Sequence, residues 1–136
     1  MVPNNAYKVY QKNSVLTASP GELTLMLYEG CVKFIKQAKI ALENGDYAEK
    51  NDKLQKAQAI ITELMVTLDD KQPVSKDMMR MYDYIHRRLI EANIKNDSKI
   101  IDEVEKLVFD FRNTWKEVLE INRNKISKTS NVRTRA

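Results

Sequence analysis

The 136-residue chain has three glycines, three prolines, one cysteine and one histidine. So few glycines and prolines cannot supply the many tight turns of a sandwich or barrel. One cysteine cannot form an internal disulfide, which points to a reducing compartment. One histidine excludes a di-iron centre of the ferritin type, which needs two Glu-x-x-His motifs. No apolar run approaches membrane-spanning length, and MVPNNAYKVY at the N-terminus lacks the apolar core of a signal peptide. There is no phosphate-cradling glycine loop and no nucleophile elbow. These absences predict a cytoplasmic protein that is not an enzyme and holds no metal or other cofactor.

What is present reads as helix. The chain is 43% apolar and 31% charged, as in an ordinary soluble helical domain. Ser19 caps a first helix, with Pro20 at its first position and Glu22 completing a capping box. That helix ends at Asn44-Gly45. Asp46 and Glu49 open a second, carrying Leu54, Ala57, Ile61, Leu64 and Leu68 inward until the Asp69–Pro73 break. Ser75 caps a third, bearing Met78, Met81, Tyr82, Ile85, Leu89 and Ala92. After Asn96-Asp97-Ser98 the fourth places Ile101, Val104, Val108, Phe111, Trp115 and Val118 at alternating spacings of three and four. Short connections make sequential helices antiparallel. The predicted fold is all-α, an up-down-up-down four-helix bundle over residues 17–124, with residues 1–16 as an N-terminal strap.

The net charge of +4 is concentrated at the C-terminal end. No acidic residue follows Glu120, whereas Arg123, Lys125, Lys128, Arg133 and Arg135 do. Without those five, 18 Lys+Arg stand against 19 Asp+Glu. Residues 125–136 read as a disordered basic tail. With no recognisable DNA- or RNA-binding module, nucleic acid is not an expected partner, nor is membrane insertion.

The positive signal is surplus apolar surface. On the first helix Leu23, Leu27, Gly30, Cys31, Phe34, Ala38 and Ala41 form a stripe suited to the bundle interior. Leu25, Tyr28, Val32, Ile35 and Leu42 form an adjoining second stripe, wider than one buried face needs. Met79, Ile90 and Ile94 lie outside the main stripe of the third helix, and Ile100, Leu107, Phe109 and Ile121 outside that of the fourth. Such excess marks a binding surface, and Met78, Met79 and Met81 suit one that adapts. Gly30 costs the helix roughly 1 kcal/mol relative to alanine, consistent with a close approach by a neighbouring helix. Cys31, among apolar neighbours, reads as an inert packed thiol and His86 as a helix-surface or half-buried residue.

Four segments, in order, resemble the flagellar export chaperone family FliS, most of all its form in Bacillus-like bacteria: AYKVYQKNSVLTASPGELTLMLYEGCVKFI (residues 6–35), KAQAIITELMVTLD (56–69), MYDYIHRRLIEANIKND (81–97) and FRNTWKE (111–117). The resemblance reaches about residue 120. It implies a cytosolic chaperone whose antiparallel bundle binds the C-terminal segment of flagellin in apolar grooves. Such a chaperone prevents premature polymerisation and assists delivery to the type III export gate. It also places Tyr7 and Tyr10 near a guest groove, although Ala6 stands where the family often has proline. The candidate flagellin-binding residues are thus Tyr7, Tyr10, Leu25, Tyr28, Val32, Ile35, Met79, Ile90, Ile94 and Leu107. Flagellar regulators are further candidate partners, with the protein a monomer or weak homodimer. The rival reading is a non-catalytic adaptor bundle that self-associates through its apolar stripes.

Overall fold

The computed structural model describes the backbone of residues 18–135 and the side chains of residues 18–125. The expected strap, with Tyr7 and Tyr10, lies outside the described residues. The rest is four helices: α1 (Pro20–Glu43), α2 (Tyr47–Thr67), α3 (Ser75–Lys95) and α4 (Ser98–Arg135). Among the described residues there is no strand.

Local signals set the ends of these helices. Ser19 Oγ accepts from Glu22 N–H at 3.2 Å, and Asp46 Oδ1 from Glu49 N–H at 3.1 Å. After α1, Gly45 takes φ +72°. Its N–H bonds to Leu42 O at 3.0 Å, and that of Asp46 to Ala41 O at 2.8 Å. This is a Schellman stop, in which glycine adopts a left-handed conformation without a Cβ penalty. Asn96, at φ 51°, ends α3 in the same region.

One expected cap differs. Ser75 is buried inside the first turn of α3, and its hydroxyl donates to Asp69 O across the preceding turn. Val74 occupies the cap position and makes no side-chain cap bond. The serine therefore staples the α2–α3 connection instead of satisfying the helix end.

Cross-helix contacts fix the antiparallel order. Lys39, late in α1, pairs with Asp102, early in α4, at 2.6 Å. At the other end Trp115 Nε1 donates to Gly21 O at 2.8 Å. Lys50 at the start of α2 reaches Asn93 and Asn96 at the end of α3, while Arg88 of α3 pairs with Glu103 of α4 at 2.8 Å. Each helix packs against two others, in the cycle α1–α2–α3–α4.

That cycle corrects the reading of α1. Tyr28, Val32 and Ile35 were expected on an outward stripe, yet they are 2%, 8% and 0% exposed. Cys31, Ala38 and Ala41 are buried with them, while Leu23, Leu27 and Phe34 of the expected inner stripe are half-buried. A helix facing two neighbours at once buries an arc centred between the two contact directions. Both stripes are flanks of that one arc. Ile100, expected as surplus on α4, is likewise 5% exposed.

The last helix, α4, runs through Arg135. No glycine or proline follows Pro73 to break it. At 38 residues against 24 for α1, α4 is roughly 57 Å long against 36 Å. Val118, expected inward, is 36% exposed because α1 begins opposite Trp115 and Leu119 and offers nothing further to cover it.

Candidate functional site

Three recesses stand out among the described residues. The largest of these, about 550 Å³, lies at the end where α1 and α3 begin and α2 finishes. Pro20, Gly21 and Thr24 of α1, Leu64 and Leu68 of the α2 end, Val74 and Met78, and Trp115 and Leu119 of α4 form its walls. α4 can approach so closely because of Gly21, where an added Cβ would sit 2.7 Å from Leu119 Cδ2. The Trp115 indole then bonds to the Gly21 carbonyl.

Two tyrosines also line this cavity. The hydroxyls of Tyr28 (α1) and Tyr82 (α3) are 2.5 Å apart, and both residues are 2% exposed. Phe111 stacks on Tyr28 with ring centroids 6.1 Å apart and lies 6.0 Å from Tyr82 at 48°. Burial, reinforced by the Tyr82 hydrogen bond, pushes the Tyr28 phenol well above its ordinary range. Burial also raises that of Tyr82, against an opposing contribution from the bond to Tyr28. Both remain neutral, so the cavity presents mainly apolar surface, with the two uncharged phenols on one side and polar residues including Thr24, Asp69, Gln72 and Asn122 elsewhere in its lining. Such a lining suits an apolar side chain or a main-chain group of a guest.

A second recess of about 380 Å³ runs between α2 and α3, with the side chains of Asn51, Gln55, Gln58 and Asn93 around Ile90 and Ile94. A third, about 430 Å³, separates α1 from α4, with Val32, Ile40 and Phe109 among basic residues.

The candidate residues read from the sequence are dispersed over these features. Ile90 and Ile94, 38% and 77% exposed, share the α2–α3 groove. Tyr28 faces the end cavity and Val32 the α1–α4 groove, each from the core. Ile35 is fully enclosed. Leu25 and Leu107 are half-buried and Met79 is 38% exposed, and none of these three lines a recess described above. The reading from sequence passed over Gly21, Trp115 and Leu119 as site residues, although it had marked Met78 as suited to an adaptable surface. Trp115 was visible as an inner-stripe residue, but its role at a cavity depends on where α1 begins.

Among the described residues, the potentially reactive groups do not converge on one site. Cys31 is fully buried and burial pushes its thiol up to about 12, so it stays protonated and a poor nucleophile. Among the described residues no cluster of three or more His, Cys, Asp or Glu could hold a metal, and no helix is long and apolar enough to cross a membrane.

Comparison with known proteins agrees with this architecture. A crystal structure of a bacterial flagellar chaperone superposes with a TM-score of 0.70 at 21% identity, covering 87% of this chain and 98% of that one, and so shares its fold. The flagellar secretion chaperone FliS of Bacillus subtilis (strain 168) is 54% identical over 123 residues, spanning 90% of this chain and 92% of its own. The FliS of Salmonella typhimurium is 35% identical over 114 residues, spanning 82% and 84%. The family profile described as "Flagellar protein FliS" matches residues 3–122. The chain therefore belongs to the FliS family of flagellar secretion chaperones.

Proposed function

We propose that this protein is a cytoplasmic, non-enzymatic chaperone for flagellin. It holds the C-terminal segment of flagellin before assembly, prevents premature polymerisation and assists delivery to the flagellar export apparatus. Family membership supports the export role. The observation that carries the binding reading is the end cavity, about 550 Å³ of mainly apolar lining with two neutral tyrosine hydroxyls. A client that folds on binding loses conformational entropy, which substantial buried apolar area must offset.

The guest engages the end cavity and continues over Ile90 and Ile94 in the α2–α3 groove. Leu25, Met79 and Leu107 are further contact candidates. Tyr28, Val32 and Ile35 act from beneath, by shaping the recesses. The working species is a monomer or weak homodimer.

Calorimetric titration with a C-terminal flagellin peptide tests this reading. Saturable one-to-one binding is expected, weakened by Leu119→Ser in the end cavity and by Ile94→Ser in the α2–α3 groove. Circular dichroism and unfolding midpoints establish that each variant folds. Absence of binding by the unmodified chain would overturn the client assignment.

A further inference from the structure

The Tyr28–Tyr82 pair holds one hydrogen more than it uses. Burial keeps both phenols protonated, so the pair carries two O–H hydrogens and spends one on the bond between them. Whichever hydroxyl donates, the other keeps a hydrogen that no described residue accepts. Its direction follows from the fold. A long helical side chain leans toward the N-terminus of its own helix, and both α1 and α3 begin at the end cavity. The cavity lining lies one and two turns before each tyrosine, at Thr24 and Gly21 before Tyr28 and at Met78 and Ser75 before Tyr82. The rings pack on Phe111, and the hydroxyls, at the tips, lead into the cavity.

The other side-chain donors along the walls are spent. Thr24 Oγ1 donates to Pro20 O at 3.2 Å, Thr67 Oγ1 to Glu63 O at 3.0 Å, Ser75 Oγ to Asp69 O, and Trp115 Nε1 to Gly21 O at 2.8 Å. The Gln72 and Asn122 amides are exposed and belong to the rim. Among the described residues of the lining, Asp69 is the one charged side chain. A neutral donor with no cation beside it selects a neutral acceptor and disfavours a carboxylate. Carbonyls inside a guest helix are already bonded, so the acceptor lies where the guest chain is not helical. We propose that the Tyr28–Tyr82 pair is a hydrogen-bond donor to a main-chain carbonyl of the guest, at a point where the guest is unwound. This role rests on the client reading above and adds a specific contact to it.

The test is calorimetric titration of the full chain with the C-terminal flagellin peptide, using Tyr28→Phe, Tyr82→Phe and the double variant. Each single variant retains one hydroxyl hydrogen, now free of the internal bond, and the double variant retains none. The double variant should therefore bind about fivefold or more weaker than the product of the two single effects. Stability should couple with the opposite sign, the double change costing less than the sum. A merely structural role would instead make affinity follow stability. A second variant covers the case in which the double change prevents folding. With 3-fluorotyrosine at position 28 of the Tyr82→Phe protein, the remaining phenol is a stronger donor and a poorer acceptor, and the peptide should bind more tightly. Multiplicative single effects, or unchanged or weaker binding after fluorination, would overturn this role alone. Absence of binding by the unmodified chain would overturn the client reading and this role with it.

Discussion

Tyr28 and Tyr82 join α1 to α3 through a hydroxyl–hydroxyl hydrogen bond of 2.5 Å at the buried edge of the end cavity. Helices α1 and α3 are not neighbours in the cycle of packed helices, so this bond crosses the bundle. Either single change to phenylalanine strands the other hydroxyl and should cost about 1 kcal/mol or more. The double variant should cost less than the sum of the two, because no buried hydroxyl is then left alone. A double-mutant cycle by urea unfolding measures this coupling; strict additivity would show that the bond contributes nothing.

Lys50 is 1% exposed, and its ammonium donates to Asn93 O at 2.8 Å and to the Asn96 side chain. It satisfies the Asn93 main-chain carbonyl in the last turn of α3 and the Asn96 side-chain amide oxygen. Lys50→Met should lower stability by about 1–3 kcal/mol by leaving those acceptors unpaired. Burial also lowers the Lys50 pKa from 10.5. The folded state then loses this proton at a lower pH than the unfolded chain does. Stability from this group accordingly rises with pH through the interval below 10.5. Denaturant unfolding of parent and variant across that interval should show the increment in the parent alone.

Arg88 ties α3 to α4 through Glu103 at 2.8 Å and also bonds Glu91 at 2.7 Å. The Arg88 hydrogen bond is the main cause holding the Glu103 carboxyl below its ordinary range. For Glu91 the bond from Lys95 leads, followed by that from Arg88. Both carboxylates contribute stability above about pH 4.5, which is lost as pH falls through their lowered folded values. Arg88→Gln should flatten this acid limb of the stability profile while leaving helix content at neutral pH intact. An unchanged limb would mean that the network is energetically silent.

Gly30 sits in mid-α1, where an added Cβ would lie 3.3 Å from Ile60 Cδ1 of α2. The contact is tight, but it meets the far end of a side chain that is only half-buried. Alanine gains roughly 1 kcal/mol in helix propensity, and Ile60 must give by a few tenths of an ångström. Gly30→Ala should therefore raise the thermal midpoint modestly. A lowered midpoint would show that Ile60 is held too firmly to move.

The starts of α1 and α2 and the ends of α1 and α3 were legible in the sequence because they depend on neighbours a few residues away. The Ser75 cap expected for α3 was not found. Ser19 with Glu22, Asp46 with Glu49, Gly45 and the Asn96 turn all act within about one helical turn. The family motifs were legible for the same reason, as ordered local strings. Tertiary structure alone decided which apolar residues are core and which line recesses. Tyr28, Val32 and Ile35 are enclosed because α1 faces α2 and α4 together, a circumstance that no helical wheel contains. Gly21, Trp115 and Leu119 form a cavity wall only because residues nearly a hundred positions apart meet where α1 begins. Hydrophobic periodicity fixes the arc a helix can bury, but the number and direction of its neighbours fix how much of that arc is covered.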